Sequence, residues 1–283
     1  MRFFRFPAAL AAFAVASTLA LGSASAMTSG ATPDEDGHPA VVSMVVISAD
    51  GMWAFQWCSG MLIAKTVVLT ASHCTAPTQE AWFINRGWTV GVTNAARLEV
   101  EQSGWFQWTD DAHQSRVLVT HTNPLYKGGY RDDVSMLEIA GELDGVEPGD
   151  LPTLPPAGLL DGLQKTKVLR ATPSLVLGYG SEQQVIPAPG GQYFPDSNMR
   201  RYAYLGTVSI DKQSIHQSQQ VAQGAGGACY GDSGGPTLME VKDTTYIVGV
   251  TSTGDTPCLA TNVAGRVDTR AALDFIDSVL DPA

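Results

Sequence analysis

Beyond Leu21 the chain has no apolar run that approaches the length of a membrane span, so no second membrane-crossing segment is expected. It is also short of basic residues: 17 Lys and Arg face 28 Asp and Glu, for a formal net charge of −11. That balance is a poor match for phosphate backbones or anionic lipid, and it excludes nucleic-acid binding as a working function. Cysteine is scarce, with only Cys58, Cys74, Cys229 and Cys258. None of them forms a CxxC pair and histidine is not clustered, which argues against a zinc site. No internal repeat is present, so any two-part architecture has to be argued from linkers.

What is present begins with export. Arg2 and Arg5 flank a short basic segment, Phe6 to Leu21 is almost wholly apolar, and Ala24-Ser25-Ala26 supplies small residues for cleavage. Residues 1–26 read as a secretory signal peptide. Its removal takes the formal charge two units further down, because Arg2 and Arg5 leave with it. The remaining protein is expected outside the cytoplasm, extracellular or periplasmic, without a membrane anchor and as a monomer. Four cysteines in an exported chain suggest two disulfides. Of the three possible pairings the sequential one is favoured, each bridge closing a loop worth roughly 3 kcal/mol in the chain-entropy model.

After a polar segment from Met27 to His38, the texture becomes short β-branched runs between turn residues. These are Val41–Ser48, Met61–Ile63, Thr66–Thr70, Trp88–Val92, Val117–Thr120 and Val134–Ile139. Such spacing predicts an all-β barrel or sandwich. Gly141 to about Gln164, with four prolines, reads as a surface linker. A second set follows at Leu175–Leu177, Ala203–Ser209, Pro236–Glu240, Thr245–Thr251 and Arg266–Val267, interrupted by a Gly/Pro/Gln-rich loop over Ser181–Asn198. One helix closes the chain: Asp268 or Thr269 caps it, and Ala272, Phe275, Ile276 and Val279 line one face.

The chemistry concentrates at Gly231-Asp232-Ser233-Gly234-Gly235-Pro236. A serine hydroxyl is a weak nucleophile at neutral pH and needs a base and a site for negative charge. Glycines on both sides leave the backbone free to bend and to aim N–H groups at an oxyanion. Thr70-Ala71-Ser72-His73-Cys74 puts a histidine where a strand gives way to a loop. Asp132-Asp133-Val134-Ser135-Met136-Leu137 puts carboxylates at the entrance of another strand. Adjacent residues of an extended chain face opposite ways, so Asp133, abutting the apolar run, is the partner for the imidazole and Asp132 faces solvent.

In this order, His73, Asp133 and Ser233 with their motifs resemble the chymotrypsin/trypsin-like serine peptidases. Cys58-Ser59-Gly60-Met61-Leu62-Ile63, Val248-Gly249-Val250-Thr251-Ser252-Thr253-Gly254 and the C-terminal helix extend the likeness over nearly the whole chain after residue 26. The resemblance implies an all-β fold of two six-stranded antiparallel barrels with a C-terminal helix and the active site between them. On that frame residues 27–283 form one peptidase domain, with a first barrel over about 27–140, a linker over about 141–164 and a second barrel over about 165–283. It implies a His73/Asp133/Ser233 triad, an oxyanion hole from the N–H groups of Gly231 and Ser233, protein or peptide substrates and no cofactor. It also favours the pairings Cys58–Cys74 and Cys229–Cys258.

Three departures from the family carry expectations of their own. The activating amine, which should pair with Asp232, counts back to Met27, the first residue after the signal peptide; signal peptidase would then generate it without a separate zymogen. At the base of the primary pocket stands Gly227 rather than an acid, with Ser252, Thr253, Gly254 and Asn262 as further substrate-binding positions. An uncharged, apolar or aromatic preference follows, with Asp255 just beyond the wall as the one attractor for a basic side chain. The sparse disulfide set fits a microbial secreted enzyme better than a vertebrate one. The alternative function is a non-catalytic peptidase homologue acting as a binding protein; an esterase would ordinarily show a G-x-S-x-G elbow on an α/β sheet. His38, His113, His121 and His216 read as exposed or structural, and Arg200-Arg201 as a solvated basic pair.

Overall fold

The structure, a computed structural model, describes residues 31–35, 37–101, 103–181, 186–188, 191–193, 199–220 and 225–282. The signal peptide and Met27 lie outside the described residues, as does much of the loop expected over 181–198. Among the described residues no helix is long and apolar enough to cross a membrane.

In chain order the elements are β1 (Thr32–Pro33), β2 (Val41–Ile47), β3 (Trp53–Ala64), β4 (Val67–Thr70), α1 (Ser72–Thr75), α2 (Pro77–Ile84), β5 (Thr89–Thr93), β6 (Phe106–Gln107), β7 (Gln114–Thr122) and β8 (Ser135–Ile139). Then come α3 (Leu159–Lys165), β9 (Ser174–Gly178), β10 (Ile186–Ala188), β11 (Gly191–Tyr193), β12 (Arg201–Ile210), β13 (Ser214–Ser218), β14 (Pro236–Val241), β15 (Thr244–Gly254), β16 (Thr261–Arg266) and α4 (Arg270–Leu280).

Two closed six-stranded antiparallel barrels result. The first runs β2-β5-β7-β8-β4-β3 and closes through β2–β3, with β6 added beside β3. The second runs β12-β13-β16-β15-β14-β9 and closes through β12–β9. The two-residue β1, N-terminal to the first barrel, pairs instead with β12 of the second. The residue patterns explain the burial. In β2 the run VVSMVVI is covered on both faces and every residue is buried. In β12 Arg201, Ala203, Leu205 and Thr207 alternate inward, the period-2 signature of a strand with one solvated face.

Three expectations need correction. The segment after residue 140 is more than a surface linker: α3 forms within it, Leu160 is fully buried, and Gly158 and Leu160 donate their N–H groups to Asp268. The apolar leucines there cover the second barrel, which Pro content alone does not disclose. Arg200-Arg201 is not solvated, since both residues are buried. Asp132 is half-buried at φ +52°, and its carboxylate accepts from Gln213 Nε2 at 2.7 Å. The C-terminal helix α4 is capped by Thr269, whose Oγ1 accepts from Ala272 N at 3.1 Å, and it packs Phe275, Ile276 and Val279 into the main core.

Candidate active site

Each chemical residue sits where a strand ends. Strand β4 is clasped between β3 and β8 and stops at Thr70, so His73 is delivered at once on the short α1. Cys58–Cys74 staples this turn to β3, with a Cα–Cα distance of 6.3 Å. Asp133 stands two residues before β8 and is wholly buried. His73 is bound to it twice: the backbone N–H donates to Oδ1 at 2.8 Å and ring Nδ1 lies 2.7 Å from Oδ2. Ser252 Oγ, from β15 of the other barrel, donates to that same Oδ2. A carboxylate can only accept at neutral pH, so Nδ1 carries the ring proton and Nε2 is left with its lone pair.

Ser233 comes from the second barrel, in the turn before β14, and the chain crosses the interface to hold it. Ser59 N donates to the Ser233 carbonyl at 2.7 Å. The Cys74 sulfur lies 3.7 Å from both His73 Nε2 and the Ser233 carbonyl oxygen, so one atom touches both sides of the cleft. Gly231 and Gly234 adopt φ +92° and +83°, values that L side chains avoid. Among the described residues, the N–H groups of Asp232, Gly234 and Gly235 are hydrogen-bonded, whereas those of Gly231 and Ser233 have no partner.

Asp232 is fully buried. Its carboxylate accepts from Gly180 N at 2.7 Å and Cys229 N at 2.8 Å, but burial outweighs these bonds and pushes its pKa up to about 7. The amine expected on Met27 lies outside the described residues.

A cavity opens beside Ser233. It is lined by Ala228, Cys229, Tyr230, Thr251, Ser252, Thr253, Gly254, Asp255, Cys258 and Asn262, and the Cys229–Cys258 disulfide braces it. Of the pocket positions read from the sequence, Ser252, Thr253, Gly254 and Asn262 line it. Gly227 does not: it is buried with Gln219 packed directly against its Cα, so no side chain larger than hydrogen fits there. Asp255 lines the cavity too, but its carboxylate is engaged by its own loop. Its carboxylate accepts from the backbone N–H groups of Leu259, Ala260 and Thr261, at 2.8, 3.0 and 2.5 Å. Partial burial raises its pKa, but these bonds prevail and hold it below the usual carboxylate range.

The sequence reading passed over Gln219 below Gly227, Tyr230 at the pocket rim, and Gln56 and Ser59 on β3. The recruitment of Gln56 and Ser59 depends on Gly231, more than 170 residues on, and no local pattern marks them. His38, His113, His121 and His216 each hydrogen-bond a neighbouring side chain, respectively Asp34, Asn94, Glu138 and Asp211. Among the described residues, the one grouping of metal-type ligands is Cys58, His73 and Cys74, whose two sulfurs are already joined in the disulfide.

The profile of the family described as Trypsin matches residues 28–276. Melanization protease 1 of Drosophila melanogaster is 28% identical over 225 residues, covering 71% of this chain and 52% of that protein. Kallikrein 1-related peptidase b5 of Mus musculus is 29% identical over 222 residues, and renal glandular kallikrein of Mastomys natalensis 27% over 226, each match covering 74% of both chains. Against the insect proteases the chain spans only part of the partner, about half of melanization protease 1 and 61% of CLIP domain-containing serine protease B15 of Anopheles gambiae. These relatives are from insects and rodents and lend no support to the microbial origin inferred from the sparse disulfides. With two closed barrels and a family match running almost from end to end, the chain belongs to the trypsin family of serine proteases.

Proposed function

We propose that this protein is an exported serine endopeptidase in which Ser233 attacks the peptide carbonyl. His73 takes the serine proton at Nε2 and returns it to the leaving amine, and water then releases the acyl group by the same route. Asp133 holds the imidazole in the required tautomer and stabilises the imidazolium. The N–H groups of Gly231 and Ser233 receive the oxyanion; one such donor is typically worth about 2.7–4 kcal/mol in the transition state. The observation that carries this reading is the 2.7 Å contact of His73 Nδ1 with fully buried Asp133, on a cleft that also holds Ser233.

In the same reading the mature chain begins at Met27, whose amine pairs with Asp232. A fully buried carboxylate without a cation is costly, and two backbone donors leave it short of compensation. The primary pocket accepts uncharged side chains, since Asp255, the one acid among its lining residues, is occupied by its own loop. Two disulfides and the Arg2–Ala26 leader support export.

Digestion of a mixed peptide library by the purified chain starting at Met27, with Ser233→Ala alongside, tests the reading. Cuts that vanish in the variant, after apolar or aromatic residues, are expected. An absence of cuts, together with no labelling of Ser233 by a fluorophosphonate, would replace the peptidase with a binding homologue.

A further inference from the structure

From Cys229 to Ser233 every backbone carbonyl is taken. Cys229 O accepts from Asp232 N at 3.1 Å, Tyr230 O from Ser181 N at 2.7 Å, Asp232 O from Gly235 N at 2.9 Å and Ser233 O from Ser59 N at 2.7 Å. The carbonyl of Gly231 differs from these four. It takes two side-chain donors from the first barrel, Gln56 Nε2 at 2.8 Å and Ser59 Oγ at 2.9 Å. A trans peptide carries its C=O and N–H on opposite edges, so a pinned carbonyl aims its N–H the other way. The two N–H groups without partners belong to the peptides before Gly231 and before Ser233. The Gly231–Asp232 peptide is the plate between them.

We propose that Gln56 and Ser59 are positioning residues that lock this plate and so set the convergence of the Gly231 and Ser233 N–H groups. The inference rests on the peptidase reading above. Gly231 at φ +92° has no side chain to resist rotation, and the Gln56 amide fills the space beside it: a Cβ there would lie 2.6 Å from Gln56 Oε1. Ser59 is tied at three atoms, since its Oγ also accepts from Tyr179 N at 3.0 Å and its carbonyl from Thr70 Oγ1 at 2.8 Å. Gln56 Nε2 is likewise braced on the Cys58 carbonyl at 3.1 Å. The clamp belongs to one barrel and the loop to the other, so oxyanion binding is coupled to how the barrels meet.

Only interactions that strengthen in the transition state raise turnover. The test therefore compares Gln56→Met, Ser59→Ala and the double variant with the unaltered chain. Three readouts are needed: kcat and KM on a peptide substrate, affinity for a peptide aldehyde whose adduct places an oxyanion on the donors, and affinity for a reduced-bond peptide that fills the same pocket without one. Losing a donor outright costs about 10²–10³ in kcat, and loosening both should cost less: roughly fivefold for each single variant and about 25-fold for the pair. Aldehyde affinity should fall in step, while KM and reduced-bond peptide affinity stay within about twofold. Unchanged kcat in Gln56→Met, or parallel losses for aldehyde and reduced-bond peptide, would overturn the proposal while leaving the peptidase intact. Failure of the unaltered chain to cleave peptide or to be labelled at Ser233 would overturn the peptidase reading, and this one with it.

Discussion

Arg200 and Asp34, 166 residues apart in sequence, meet with Nε to Oδ2 at 2.7 Å, and both are almost fully out of solvent. The guanidinium also donates to the carbonyls of Asn94 and Glu35 and reaches Tyr179 Oη, so one side chain joins the N-terminal segment, the first barrel and the second. Burial raises the pKa of Asp34, but hydrogen bonds from His38 and Arg200 prevail and hold it below its usual value. Burial, opposed by the charge and hydrogen bond of Arg200 and helped by the Asp34 charge, pushes Tyr179 up to about 12, keeping it a neutral donor and acceptor.

Breaking this pair should therefore hurt more than a surface salt bridge would. Arg200→Met leaves the Asp34 carboxylate buried with His38 as its remaining side-chain partner, and a loss of about 3–5 kcal/mol is expected by urea denaturation. Asp34→Asn, which keeps the shape but not the charge, should cost a similar amount.

Asp232 gives a pH prediction with a definite sign. In a chain that retains residues 1–26 no free amine exists at Met27, and burial pushes the carboxyl up to about 7 in the fold from its ordinary 3.8. The folded state then holds a proton the unfolded state has lost, so stability falls as pH rises from about 4 to 7, by up to roughly 4 kcal/mol, and levels off above. In the chain starting at Met27 the proposed ion pair lowers that pKa and removes the decline. Denaturation midpoints of both chains at pH 4.5 and 7.5, with Asp232→Asn as reference, check this; equal slopes in the two chains would count against Met27.

Ser252→Ala removes one of three donors to buried Asp133, leaving both bonds from His73. A hydrogen bond to a charged group contributes about 1.5–3 kcal/mol, and stability should fall by that much while His73 stays in place. Calorimetry gives the first quantity. A retained imidazole proton signal for the Nδ1–H bond would report the second.

Gly234→Ala should prevent accumulation of folded protein. Its φ of +83° already costs a side chain about 1–3 kcal/mol, and the new Cβ would run into Thr70 Oγ1 and the backbone carbonyl of Ser59. Secreted yield and far-UV circular dichroism are the readouts.

Asp255→Asn should leave the primary preference uncharged, because the carboxylate serves the N–H groups of Leu259 to Thr261 rather than the pocket. The ratio of kcat/KM for Phe over Lys substrates should stay within about twofold, alongside a small loss of stability. A large rise in that ratio would mean that Asp255 faces the guest after all.

The sequence by itself determined an all-β fold and marked His73, Asp133 and Ser233 as candidates, because both are written in local patterns; the pair of six-stranded barrels followed from the family resemblance and not from any single run. β-branched runs such as Val41–Ile47 form strands wherever they fall, and the runs containing His73, Asp133 and Ser233 each put a polar residue beside a strand that must be buried. The helix cap was legible as Asp268 or Thr269 for the same reason, a short-range bond between residues three apart, and the structure selects Thr269. Other features were decided only by the tertiary structure, and they depend on partners distant in the chain. Nothing near Arg200 announces that Asp34 and Tyr179 will enclose it; a basic pair reads alike whether water or a carboxylate compensates it. Gln56 and Ser59 gain their meaning from Gly231, more than 170 residues on, once the two barrels close against each other. Asp255 could be located beside the pocket from sequence, but the direction of its carboxylate depended on a turn that brings three N–H groups within reach. Hydrophobic periodicity is a property of neighbours, whereas compensation of buried polar groups is a property of the folded whole.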